Sequence, residues 1–210
     1  MTDKGLLIVI SGFSGAGKGT LIRRLMETHD HYVLSVSMTT RAPREGEENG
    51  REYFFTDEAH FREMIDRNGF LEHAVYSGNH YGTPRAYVEE RLSAGMDVLL
   101  EIEVQGALQI RERFPEALLI YVVTPTVADL RARLEGRGTE TPEAIARRLR
   151  RAADEADALD AYEYIVINDD ASRCAEEIHG IVQGARRATG RNRAFIEETR
   201  KALHQAFDAD

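Results

Sequence analysis

Gly12-Phe13-Ser14-Gly15-Ala16-Gly17-Lys18 is the stretch on which the reading of this chain turns. It fits G-x-x-x-x-G-K, a loop whose glycines let backbone N–H groups turn inward around an anion. The lysine of such a loop reaches the outer phosphates of a nucleoside triphosphate. The motif carries weight only between a strand and a helix. On its amino side, residues 6–10 are a short apolar run rich in β-branched side chains, as a buried parallel strand requires. On its carboxyl side, Leu21, Ile22, Leu25 and Met26 recur at helical spacing, and a helix N-terminus adds a favourable dipole to the cradle.

Working outward, residues 32–56 read as extended, residues 57–67 as a short helix and residues 70–76 as a strand. Thr83-Pro84 reads as a helix start, with Thr as N-cap and Pro in the first turn. That helix ends near Gly95. Residues 98–103 and 118–123 are further buried strands, each followed by a helical pattern. Thr141-Pro142-Glu143 opens an arginine-rich helix, residues 165–167 form a last short strand and residues 172–187 a closing helix. Strands alternating with helices predict an α/β domain with a mostly parallel sheet flanked by helices. Residues 37–83, with shorter and less regular elements, read as an insertion on that core. In the tail, residues 191–210, an apolar stripe of Phe195, Ile196, Thr199, Leu203 and Phe207 reads first as a helix docked on its own domain. A contact between subunits is the alternative, so a homo-oligomer stays open.

The 210 residues suit one domain with a substantial core, and 42% of them are apolar. A net charge of −9 argues against non-specific nucleic-acid binding, which needs a basic surface. Of 27 cationic residues only Lys4, Lys18 and Lys201 are lysines, so the lysine inside the glycine-rich loop stands out. Cys174 is the single cysteine, which precludes an internal disulfide and fits a reducing compartment. The first apolar run is too short for a signal peptide or a membrane span, and a cytoplasmic protein is expected.

Ser37-Met38-Thr39-Thr40-Arg41-Ala42-Pro43-Arg44-Glu45-Gly46-Glu47, Gly50-Arg51-Glu52-Tyr53, Phe70-Leu71-Glu72, Ser77-Gly78-Asn79-His80-Tyr81-Gly82-Thr83, Glu101-Ile102-Glu103-Val104-Gln105-Gly106, Glu135-Gly136-Arg137-Gly138-Thr139 and Ile167-Asn168-Asp169 are separate stretches that resemble guanylate kinases. The resemblance spans about residues 5–185. It implies a P-loop kinase core (5–36, 84–125 and 160–188), a GMP-binding insertion (37–83), a mobile helical lid (126–159) and a C-terminal helical tail (189–210). It also implies the reaction ATP + GMP ⇌ ADP + GDP, assisted by Mg²⁺.

The residues it carries over also make chemical sense. The ATP phosphates would lie in Gly12, Phe13, Ser14, Gly15, Ala16, Gly17, Lys18, Gly19 and Thr20. Position 19 departs from the usual Ser or Thr. One step along a helix turns a side chain by roughly 100°, so Thr20 is not a simple substitute. G-K-G-T does occur in nucleoside monophosphate kinases. Mg²⁺ would then be held mainly by the nucleotide and water, with Thr20 and Glu101 as the protein groups in question. Guanine presents two adjacent donors, N1–H and the N2 amine, to which one carboxylate can pair. The family places Glu72 there, with the hydroxyls of Ser37 and Thr83, whereas alternation along the strand alone would turn Glu72 to solvent. Arg41 and Arg44, with the hydroxyls of Tyr53 and Tyr81, match the groups that hold the GMP phosphate.

Glu101 and Glu103 read as acids on one face at the end of a strand, where P-loop folds keep an acid near the metal. Many family members carry Asp at both positions, which leaves open which of the two approaches Mg²⁺ and which the GMP side. Arg133, Arg137 and Arg148 match the lid arginines, which with Lys18 would clamp the transferring phosphoryl group. Arg147, Arg150 and Arg151 read instead as a solvated helix face paired with acids such as Glu155. No histidine pair has convincing metal-ligand spacing. Two other readings stay open: a kinase for another small phosphate acceptor on the same fold, and a guanylate-kinase-like binding module without catalysis.

Overall fold

The computed structural model describes residues 4–136 and 141–207 of the chain. Its centre is a five-stranded, wholly parallel sheet built from β1 (Leu7–Gly12), β2 (Tyr32–Leu34), β7 (Asp97–Glu101), β8 (Leu118–Val123) and β9 (Tyr164–Ile167). The order across the sheet is β2-β7-β1-β8-β9, so the strand that feeds the glycine-rich loop is the middle one. Every residue of β1 is buried, as a strand covered on both faces must be. Helices α1 (Lys18–Thr28) and α7 (Ala171–Arg186) close one face through Ile8, Leu21, Leu25, Ile178 and Val182. Helices α3 (Arg85–Ser93) and α4 (Val104–Arg113) close the other through Val9, Val88, Ala107 and Ile110. Cys174 is buried in the first of these layers and donates its thiol to the Ile167 carbonyl at 3.2 Å.

The insertion is more regular than its sequence suggests. It holds β3 (Ser37–Thr39), β4 (Tyr53–Phe55), α2 (Glu58–Asp66), β5 (Phe70–Tyr76) and β6 (Asn79–Pro84). The strands form a second sheet in the order β4-β3-β6-β5. Strand β6 is absent from the sequence reading because Gly82, Thr83 and Pro84 look like turn and helix-start residues. Thr83 is not a helix cap. Its hydroxyl is committed to Glu72, Pro84 takes the N-cap position without a side-chain bond, and α3 begins at Arg85. Thr141, by contrast, caps α6 (Pro142–Ala156) as expected, accepting the Ala144 N–H at 3.3 Å.

Helices α5 (Val127–Glu135) and α6 carry their own small core of Leu130, Leu134, Ile145 and Ala152, packed against Phe13 of the loop. The last helix, α8 (Arg193–Phe207), corrects the docked-tail reading. It buries no side chain, and Phe195, Leu203 and Phe207 stay exposed. Among the described residues no helix is long and apolar enough to cross a membrane.

One buried acid ties the sheet to its helical cover. Asp97, at the start of β7, is fully buried, accepts the Leu6 N–H at 2.7 Å and pairs with Arg186 at the end of α7. Removing one member of such a pair strands its partner. Asp97→Ala is therefore expected to cost about 2–4 kcal/mol of unfolding free energy in urea melts; a loss below about 1 kcal/mol would mean that the pair is idle.

Candidate active site

The cradle stands at the carboxyl edge of the parallel sheet, the usual place for ligands in such folds. Helix α1 starts from Gly17 with no side-chain cap; the Thr20 N–H turns back to the Gly17 carbonyl at 3.1 Å, and no side chain competes with an anion for the N–H groups of Lys18 and Gly19. Gly15 and Gly17 are needed for more than their positive φ of 97° and 94°. A Cβ on Gly15 would lie 2.9 Å from Leu134 Cδ2, and one on Gly17 would lie 2.5 Å from Asn168 Nδ2. Asn168 is a residue whose part the sequence reading missed. It donates to the Ala16 carbonyl at 2.7 Å and so fixes the far side of the loop. Lys18 Nζ donates to the Gly12 carbonyl at 2.6 Å, folded across the cradle it would fill with charge on a phosphate.

Two of the three arginines expected to belong to a lid reach this loop. Arg133 donates to the Ala16 carbonyl at 3.1 Å and to the Asn168 carbonyl at 2.6 Å, and Arg148 bonds to the Ser14 hydroxyl. Arg137 lies outside the described residues. Arg151 is more than a solvated charge: besides Glu155 at 2.7 Å it meets Glu103 at 2.8 Å and stacks on the Tyr76 ring at 4.5 Å.

A cleft of about 420 Å³ opens from Lys18 into the insertion and brings together Ser37, Arg41, Arg44, Tyr53, Tyr81, Glu72, Glu101 and Glu103. At its inner end Glu72 is only 4% exposed, which overturns the alternation reading. Alternation fails because α4 covers this end of β5, so that Phe70, Leu71 and Glu72 are all buried in succession. The carboxylate accepts the Thr83 hydroxyl at 2.6 Å and leans on Gly106, where a Cβ would meet Glu72 Oε2 at 2.4 Å. Burial pushes the Glu72 carboxyl up, against the opposing pull of the Thr83 hydroxyl and N–H and of Arg113.

Arg41 is held before any ligand arrives. It pairs with Glu47 at 2.9 Å, bonds the Ala42 carbonyl at 2.8 Å and lies 5.3 Å from the Tyr53 ring centroid. Glu47 also accepts the Arg44 N–H at 2.8 Å, a fastening role that the sequence reading did not assign. Ser35 was likewise missed. It lines the cleft with its hydroxyl buried and without a protein partner.

Glu101 and Glu103 do not share a strand face. Strand β7 stops at Glu101, beside Ile10, although β1 runs on to Gly12 against β8; the Ser11 hydroxyl donates to the Ile102 carbonyl at 2.8 Å, and Glu103 becomes the N-cap position of α4. Glu101 Oε2 lies 3.8 Å from where a Cβ on Gly19 would stand. Protein around its carboxyl raises it, Lys18 lowers it and Glu103 raises it further. Among the described residues no group of three or more His, Cys, Asp or Glu is placed to hold a metal ion.

The family model described as Guanylate kinase matches residues 4–185. The chain belongs to the guanylate kinase family. The guanylate kinase of Streptococcus agalactiae (serotype III) is 45% identical over 97% of this chain and 100% of its own length. That of Halalkalibacterium halodurans is 48% identical over 86% of this chain and 88% of its own. A crystal structure of guanylate kinase from Anaplasma phagocytophilum superimposes with a TM-score of 0.73 at 32% identity, covering 90% of each chain. The guanylate kinase fold thus accounts for the parallel core and for the second sheet standing over its carboxyl edge.

The packing of Glu72 on Gly106 yields a stability test. Gly106→Ala should cost about 1–3 kcal/mol by overpacking, and Glu72→Ala should relieve most of that cost in the double variant. Additive losses in denaturant unfolding would show that the two positions do not share this space.

Proposed function

We propose that this chain transfers the γ-phosphoryl group of ATP to the phosphate of GMP, giving ADP and GDP. The observation that carries the reading is the single cleft that joins Lys18 of the phosphate cradle to the buried Glu72 through Arg41 and Arg44. Glu72 would accept the N1–H and N2 amine of guanine, with Ser37 and Thr83 beside the base. Adenine has an acceptor at N1 and no N2 amine, and would leave the buried carboxylate unpaired. Arg41 and Arg44, with Tyr53 and Tyr81, would hold the acceptor phosphate on the side facing Lys18.

In the transfer, the bond from the γ-phosphorus to its bridging oxygen breaks and one forms to an oxygen of the GMP phosphate. That oxygen is already ionised near neutral pH, so no strong general base is required. The work is positioning and charge stabilisation, with Lys18, Arg133, Arg137 and Arg148 as the cations for the spreading negative charge. Mg²⁺, held by ATP and water with Thr20 and Glu101 nearest, would neutralise the phosphate oxygens. Residues 37–83 and 126–159 would act as acceptor-binding and lid segments over the core. A lone buried Cys174 and small nucleotide substrates support a cytoplasmic setting.

A non-catalytic binding module has less support, because the loop, Lys18, Arg133 and Arg148 are assembled around one cradle. ADP formation from ATP with GMP, AMP, UMP or no acceptor, with and without Mg²⁺, tests the proposal. Turnover is expected with GMP and Mg²⁺, with AMP slower by about a hundredfold or more. Comparable rates with AMP would exclude the guanine reading, and no turnover with any acceptor would favour the binding module.

A further inference from the structure

Strand β5 is the outer strand of the insertion sheet, with β6 on one side only. Its ladder with β6 is irregular around Glu72: the register shifts between Phe70 and His73, and neither Leu71 nor Glu72 has a ladder partner. An edge strand with such a bulge depends on something else to fix where its side chains point. Here the outer edge is bonded by side chains of α4. Gln109 Oε1 accepts the His73 N–H at 3.2 Å, and Gln109 Nε2 donates to the His73 carbonyl at 2.8 Å. Arg113 donates to the Leu71 carbonyl at 3.2 Å. Gly106, Gln109 and Arg113 follow one another at i, i+3 and i+7, on one helical face. This face therefore bonds the residue before Glu72, bonds the residue after it and receives its carboxylate at Gly106.

We propose that Gln109 and Arg113 are positioning residues for acceptor selection, acting as a surrogate strand that holds β5 in register so that Glu72 meets the donor edge of the purine base. The inference rests on the reading of Glu72 as the base-recognising acid. Neither residue lines the cleft, so both act through Glu72. The amide of Gln109 copies the donor and acceptor of a neighbouring strand, and Arg113 adds a cation near the buried carboxylate. A small misplacement of a recognising group is costly.

The test compares wild type, Gln109→Met, Gln109→Glu, Arg113→Met, Glu72→Gln and the Gln109→Met/Glu72→Gln pair, measuring KM and kcat for GMP and AMP, KM for ATP, and thermal unfolding. Gln109→Met should raise the KM for GMP about tenfold and lower the preference for GMP over AMP, with the KM for ATP within about twofold. Arg113→Met should act in the same direction. Gln109→Glu keeps the acceptor for the His73 N–H and should fall between wild type and Gln109→Met; it also stands in if the Met variant does not fold. In the Glu72→Gln background, Gln109→Met should add little. A loss of stability with unaltered GMP KM and acceptor preference, or a full additional effect in the Glu72→Gln background, overturns the proposal while leaving Glu72 its role. An unaltered guanine preference in Glu72→Gln alone overturns that role and the proposal with it.

Discussion

The structure depends on keeping a carboxylate in a place where a carboxylate is costly. Glu72 is almost wholly buried, with one partner in Thr83 and a glycine opposite to make room for it. A buried acid of this kind works against folding unless it is neutralised or bonded. Much of the surrounding architecture can be understood as the means of holding it. Strand β6 delivers Thr83, and α4 offers Gly106 and bonds the backbone on either side. The insertion stays together around aromatic packing such as that of Phe61 on Phe70, with ring centroids 4.5 Å apart. Such local expense is common at sites that recognise polar ligands.

The end of the cleft proposed to hold phosphate is built on the opposite plan. There the chain supplies open donors in place of a buried acceptor. The loop turns on glycines, α1 begins uncapped, and the carbonyl of Ala16 is drawn away by Asn168 and Arg133. The small core of α5 and α6 rests directly on Phe13. The segment proposed as a lid is thus packed against the glycine-rich loop.

The core was readable in the sequence because its elements are driven by local rules. A run of buried β-branched residues, a glycine-rich turn and a 3.6-residue repeat lead to β1, the loop and α1 without tertiary information. The insertion was less readable for a physical reason. Alternation assumes one wet face, and β5 lacks one where α4 covers it, so Glu72 was turned the wrong way by pattern alone. Thr83-Pro84 follows a capping rule, yet a buried carboxylate outbids the helix for that hydroxyl. The end of β7 before Glu103 carries a tertiary bond, from the Ser11 hydroxyl to the Ile102 carbonyl, which no local pattern records. Family resemblance supplied candidate residues at these positions. It assigned no part to Glu47, Asn168, Ser35, Gln109 or Arg113, whose contacts are seen only in the folded chain.

The measurement closest to the central claim is thermal unfolding of wild type and Glu72→Gln at pH 8, with and without GMP. Burial raises the Glu72 carboxyl above its unfolded value, so its ionised form costs stability as pH rises through the folded value, and the cost vanishes below about pH 4.5. The neutral variant should therefore unfold at the same or a higher temperature than wild type without GMP. On adding GMP the order should reverse, because only wild type offers the base a carboxylate. A variant less stable than wild type without ligand, shifted by GMP as much as wild type is, would contradict the account.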